Sequence, residues 1–276
     1  MSTDKTEQVV GVVGLGAMGA PMARHLTAAG VPVVVADLDP ALVAVAVGQG
    51  AQATGSLAEL AAASDVVLVV VATDEDVVSV CAGPGGLLAS CRPGTAVLLC
   101  SSVRPDTCTA VQTAAPEGVV VLDAALTGGV RGAEDGTINL LVGGDGTVLD
   151  AVLPVLEPWT RSVHHLGPLG SGQVGKTVNN LIHWAQISAI TEALELGRRY
   201  GLDVPTLRRA LMSGPTDSRT LRELEQMRFT WHAKDLANAA AMARVVELDL
   251  PVATTSGEVM KQVSVGSVGA LLRGLP

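Results

Sequence analysis

Six short, almost unbroken apolar runs, at residues 9–13, 31–36, 66–72, 95–100, 119–122 and 138–142, punctuate the first half of the chain. Runs of this length that do not alternate polar with apolar suit strands buried on both faces, as in a parallel sheet covered by helices. Ala-rich stretches at helical spacing lie between them, at 20–29, 41–47, 57–63, 77–80 and 107–113. Asp39 before Pro40, and Ser56 before the third stretch, are predicted N-caps. Strand and helix alternating in this way predict a doubly wound α/β sheet. Aromatic residues are only 2% of the chain against 48% hydrophobic, so its core is built from Val, Ala and Leu.

After about residue 165 the strand rhythm stops. The Gly-rich segment 166–175 reads as a hinge or loop, and 176–200 as one helix of about 25 residues, roughly 40 Å long. Gly201 is its predicted C-cap, and further helices are expected at 204–212, 219–229 and 234–248. The expected architecture is therefore an α/β domain over 1–166 and an all-helical domain over 167–276, joined by a long interdomain helix.

Charge and composition exclude several functions. With 18 Lys and Arg against 27 Asp and Glu, the net charge is −9, the wrong sign for a phosphate backbone, and aromatic stacking platforms are scarce. Apolar runs such as 66–72 fall far short of the ~20 residues of a membrane span. The N-terminal residues 1–8 are polar and do not read as a signal peptide. Cys81, Cys91, Cys100 and Cys108 form no C-x-x-C pair and read as thiols of a reducing cytoplasm. His25, His164, His165 and His232 have no partner at ligand spacing, so no metal site is expected.

The run at 9–13 leads into Gly14-Leu15-Gly16-Ala17-Met18-Gly19 and then into a helical stretch. In that context the glycines suit a dinucleotide: Gly14 for the tight turn, Gly16 for approach of the pyrophosphate, and Gly19 for helix–strand packing. Asp37 ends the second run about 20 residues further on, where an acid binds the adenosine ribose. With no Lys or Arg between Arg24 and Arg92 to balance a 2′-phosphate, NAD is expected over NADP. A ligand-free tight turn and a solvated Asp37 are the competing readings.

Two further segments, DAALTGGVRGAEDGTINLLVGG from Asp123 and GSGQVGKTVNN from Gly170, join GLGAMGAPMA at Gly14 and Lys234-Asp235-Leu236. In this order they resemble the β-hydroxyacid dehydrogenase family of 3-hydroxyisobutyrate dehydrogenases and tartronate semialdehyde reductases. The resemblance implies a Rossmann domain that binds NAD, followed by a helical domain through which the chain forms a homodimer or homotetramer. It implies that Lys176 is the catalytic lysine and that Asn180 holds substrate. Thr127, Gly128 and Gly129 fall on the stretch that binds the substrate carboxylate. Ser102 falls near the nicotinamide ribose, Val71 and Ala72 on a backbone stretch over the cofactor, and Lys234 on a lysine that closes over both ligands. Three departures stand out: threonine replaces serine at 127, Val71-Ala72 replaces Leu-Pro, and VSVGSVGALLRG stands where the family has a glycine-acid segment.

The chemistry agrees with these roles. Hydride transfer to or from a carbinol carbon needs a proton carrier at the oxygen, and a desolvated lysine can serve. Lys176, Asn180 and His183 follow i, i+4, i+7 spacing, so they share one helix face, which the preceding glycines are expected to turn toward an interdomain crevice. A solvated helix-start lysine is the alternative for Lys176. His183 either meets a polar distal group of the substrate or packs beside Trp184, and Arg131 either aids carboxylate binding or is a solvated loop residue. The expected activity is hydride exchange between NAD(H) and a small β-hydroxyacid or its semialdehyde. The rivals are an imine reductase-type enzyme and a non-catalytic NAD-binding scaffold.

Overall fold

The computed structural model describes residues 8–275, so the polar segment 1–7 lies outside the described residues. The chain divides into two compact units, one ending at Lys176 and the other starting at Thr177.

The first unit is built on strands β1 (Val10–Val13), β2 (Val33–Ala36), β3 (Gln52–Ala53), β4 (Val66–Val69), β5 (Ala96–Leu99), β6 (Val120–Thr127), β7 (Ile138–Gly143) and β8 (Thr160–Gly167). They form one sheet in the order β3-β2-β1-β4-β5-β6-β7-β8. Helices α1 (Gly19–Ala28), α2 (Pro40–Gly48), α3 (Leu57–Ala63), α4 (Asp74–Ala82), α5 (Pro105–Ala114), α6 (Gly129–Glu134) and α7 (Gly146–Leu156) connect them. Successive strand residues serve opposite faces: Val66 and Leu68 join one apolar core, Val67 and Val69 the other. That double burial is why the runs read as continuous rather than alternating. The predicted caps form, Asp39 accepting from the amide of Ala41 and Ser56 from that of Glu59. Strand order reverses at β1, which lies between β2 and β4, so the crevice at its C-terminal end is a topological switch point.

The sheet is not wholly parallel. β7 runs antiparallel to β6, because the link from Thr127 to Ile138 holds only the six-residue α6 and its turns, too little for a parallel crossover. The longer link containing α7 then returns the chain to β8, parallel to β7. β8 escapes a reading of apolar runs because it is an edge strand carrying Arg161, His164 and His165 on its exposed positions.

The expected hinge at 166–175 is also corrected. Helix α8 spans Ser171–Arg199, so Gly172 and Gly175 lie inside it. A side chain on Gly172 would meet the Leu141 carbonyl oxygen, and one on Gly175 would meet Leu166. These glycines bring the helix down onto the sheet; they do not loosen it. The start of α8 is held by Asp123 of β6, a fully buried residue. Its carboxylate accepts from the amide of Gly170 at 2.6 Å and from that of Gln173 at 2.8 Å. Burial pushes the Asp123 carboxyl up, and these amides pull it back down.

The second unit contains the rest of α8 with α9 (Val204–Leu211), α10 (Arg219–Arg222), α11 (His232–Val245), α12 (Pro251–Met260) and α13 (Val265–Leu272). The helix expected over 219–229 breaks after Arg222 into a short turn, Leu224–Gln226. The Arg208 guanidinium takes the carbonyls of Leu221 and Arg222, both at 2.9 Å, that a continuing helix would have used. The atypical C-terminal stretch forms α13, whose Val268 and Leu271 are buried. No helix of the described residues is long and apolar enough to cross a membrane.

Asp123→Ala leaves two buried amides without an acceptor, at about 1–3 kcal/mol each. The expected result is a loss of roughly 2–5 kcal/mol of unfolding free energy in a urea titration, and a loss under 1 kcal/mol would refute the anchoring role. Gly172→Ala should cost about 1–3 kcal/mol by overpacking against the sheet backbone. A neutral Gly172→Ala would mean that the helix seats itself without that close approach.

Candidate active site

β1 delivers Gly14 at φ 94°, a left-handed conformation, and a side chain there would meet the Val70 carbonyl oxygen. One on Gly19 would meet the carbonyl oxygen of Gly14. Packing within the chain thus accounts for both glycines. Gly16 is different: a side chain there would meet nothing within 4 Å, so internal packing does not demand glycine. No side chain caps α1, whose N-terminal amides face the same turn. Leu15 of the loop is buried, whereas Ala17 is exposed and Met18 half-buried.

The structure brings Asp37 against this loop. Its Oδ2 accepts from the Leu15 amide at 2.5 Å and its Oδ1 from the Asp39 amide at 2.8 Å. Arg24, the basic residue on α1, is bound to Glu134 at 2.8 Å. At the end of the neighbouring strand, the Val71 amide donates to Ser101 Oγ at 2.9 Å, with Ala72 exposed beside it. Ser102 is exposed, and the groups on either side of it are gripped by one buried side chain: Gln173 Nε2 donates to Ser101 O at 2.8 Å, and Val103 N donates to Gln173 Oε1 at 3.2 Å. Ser101, Gln173 and Asp123 all escape a reading of the sequence. For Ser101 and Asp123 the visible signal is a polar residue at the end of an otherwise apolar run; Gln173, in a Gly-rich segment, carries no such signal.

Thr127 ends β6, and its hydroxyl donates to the Asn139 carbonyl at 3.0 Å. The proton of this hydroxyl is therefore directed into the sheet. Two left-handed glycines, Gly128 at φ 116° and Gly129 at φ 64°, then open α6. The other end of α6 is tied to α1, where His25 Nε2 lies 3.1 Å from Ala133 O and 3.0 Å from Glu134 O. Lys176 stands one turn beyond Ser171 on α8.

In the second unit, Asn180 Oδ1 accepts from Asn179 Nδ2 at 3.1 Å. His183 Nδ1 lies 3.3 Å from Thr220 Oγ1, and its ring sits 5.0 Å from that of Trp184. Trp184 Nε1 donates to Asp235 Oδ2 at 3.0 Å, which fixes α11 and with it Lys234, the neighbour of Asp235. The Lys-Asp-Leu segment thus has a structural member. Among the described residues, no group of three or more His, Cys, Asp or Glu is placed to hold a metal ion. Burial pushes the Cys81 and Cys100 thiols up to about 12 and Cys91 to about 11, so none of these three is a ready nucleophile.

Comparison with known proteins identifies the family. Residues 9–167 match the family described as the NAD binding domain of 6-phosphogluconate dehydrogenase. Residues 170–270 match the family described as NAD-binding of NADP-dependent 3-hydroxyisobutyrate dehydrogenase. A 2-(hydroxymethyl)glutarate dehydrogenase of Eubacterium barkeri is 36% identical over 250 residues, covering 90% of this chain and 82% of that protein. A 2-hydroxy-3-oxopropionate reductase of Escherichia coli K12 is 32% identical over 260 residues, covering 90% and 89%. Among solved structures, a Mycobacterium tuberculosis 3-hydroxyisobutyrate dehydrogenase with L-serine superposes with a TM-score of 0.83 at 27% identity, covering 93% and 94% of the two chains. This chain belongs to the β-hydroxyacid dehydrogenase family of NAD-binding oxidoreductases.

Proposed function

We propose that this protein exchanges a hydride between NAD(H) and a small β-hydroxyacid or its semialdehyde, with Lys176 carrying the proton. The observation that carries this reading is the glycine loop tied to Asp37, on the same sheet that seats the helix bearing Lys176. The residues fit the cofactor. Gly16 leaves open the space that a pyrophosphate needs, no side chain caps the N-terminus of α1, and Asp37, bonded to the Leu15 amide, suits a ribose. When bound, the nicotinamide supplies the hydride acceptor or donor. Lys176 takes the hydroxyl proton on oxidation and returns it on reduction, Asn180 orients the substrate oxygen, and Lys234 closes over the ligands.

The carboxylate falls to the amides at Gly128 and Gly129 and to the Thr127 hydroxyl. Because the Thr127 hydroxyl donates to Asn139, a carboxylate can gain its proton only if that bond is exchanged. Ser102 and the Val71-Ala72 backbone flank the nicotinamide side. His183 meets a polar distal group of the substrate.

Self-association through the helical unit completes this reading. Val178, Ile182, Ala185, Ala189 and Leu196 fall on one face of α8, with Val178 49% and Ile182 56% exposed, a stripe suited to a second copy of the chain. The four cysteines are unpaired, in keeping with a reducing cytoplasm.

Lys176→Ala should lower kcat by about 10²–10⁴-fold while the Kd for NAD, read by titration, stays near the native value. Retention of half the activity would remove the lysine from the mechanism. NAD should exceed NADP in kcat/KM, since Asp37 repels a 2′-phosphate and Arg24 is already paired; equal values would displace Asp37 from the ribose site. His183→Leu should raise KM for the true substrate by about 10-fold, one lost hydrogen bond, with KM for NAD unchanged. A drop in Tm with both KM values intact would make His183 a packing residue.

A further inference from the structure

We propose that Gln173 is a positioning residue for this reaction, its carboxamide locking the segment that bears Ser102 to the first turn of the helix that bears Lys176. The inference rests on the roles proposed for Lys176 and Ser102.

Gln173 is 2% exposed, buried as deeply as the apolar core. Its carboxamide donates to Ser101 O and accepts from Val103 N, the groups on either side of Ser102, as a neighbouring strand would. Ser101 Oγ accepts from the Val71 amide and donates to Val69 O at 3.4 Å. The backbone of Gln173 is itself fixed by Asp123. Gln173 therefore joins the loop at Ser102 to the turn of α8 that leads to Lys176, and the Ser101 hydroxyl extends the link to the turn at Val71. A separation of 70 residues between Val103 and Gln173 leaves their register to this contact and not to local chain geometry.

A buried carboxamide is an expensive way to fill space. Met or Leu would fill the volume without desolvating an amide, so packing alone does not call for Gln. Transfer chemistry does call for a fixed register, because misplacing reacting groups by about 1 Å costs on the order of 10²-fold in rate.

Two variants test this. Gln173→Met keeps the length of the side chain and leaves Ser101 O and Val103 N unmet. Its kcat should fall by about 10–100-fold, with substrate KM and the NADH Kd from fluorescence titration within about twofold of native. In the protein without cofactor, hydrogen exchange at the Val103 amide should speed up. Gln173→Glu is the conditional rescue. A protonated carboxyl repeats both bonds, O–H to Ser101 O and carbonyl oxygen from Val103 N, whereas a carboxylate cannot donate. In the oxidation direction its kcat should approach native at low pH and fall below native as the acid ionises, adding a descending limb to a native profile that only rises as Lys176 loses its proton. Burial and the nearby Asp123 carboxylate raise the pKa of the introduced acid and move that limb toward neutrality.

A Gln173→Met protein with native kcat, or a Gln173→Glu protein with the native pH profile, overturns the proposal. If Gln173→Met does not fold, the Gln173→Glu profile decides alone. A Lys176→Ala protein that keeps its turnover defeats the underlying reading and this inference with it. Loss in Lys176→Ala beside native turnover in Gln173→Met defeats only the inference.

Discussion

The buried carboxylate of Asp123 at the start of α8 is the interaction on which the rest of this architecture depends. A charge in an apolar sheet is tolerable only if its oxygens are met, and here they are met by amides at the positive end of a 29-residue helix. The exchange is mutual, because those amides would otherwise be unsatisfied helix-start donors. Glycines at 143 and 172 make room for it, since a side chain at either would crowd the carboxylate oxygens. The azimuth of Lys176 is set directly, three residues beyond an amide whose partner is fixed.

The two-sided core has a similar role for the glycine loop. With Val and Leu of adjacent strands committed to opposite faces, the ends of β1, β2, β4 and β5 are held in one register. Gly14 and Gly19 then allow backbone to touch backbone, which pulls α1 against the sheet and aims its uncapped end at the crevice. Asp37 reinforces this turn by bonding the Leu15 amide, so the acid that ends the second strand also shapes the glycine loop.

In the helical unit, polar side chains again determine where helices sit. Trp184 reaches Asp235 from α8, and Arg208 ends α10 by taking its carbonyls. Each bond is satisfied at both ends, and each fixes an angle that apolar contacts alone would leave adjustable.

The sequence by itself determined the doubly wound sheet, the glycine loop with Asp37, and most of the helices, because burial on two faces and φ above zero constrain residue type locally. The family was legible in motifs at 14–23, 123–144, 170–180 and 234–236, since each must appear in order whatever lies between. Only the tertiary structure decided that 166–175 is the end of β8, a short turn and the start of α8 rather than a hinge, that β7 runs antiparallel, that β8 forms the edge of the sheet, and that 219–229 breaks. It alone decided that Asp123, Ser101 and Gln173 form one connected network and that the Thr127 proton points at Asn139. The reason is common to all of these. A glycine reads as flexible until the backbone it must touch is known, a link reads as a turn until the strands it joins are paired, and a lone polar residue acquires its partner only from a segment 47 or 70 residues away.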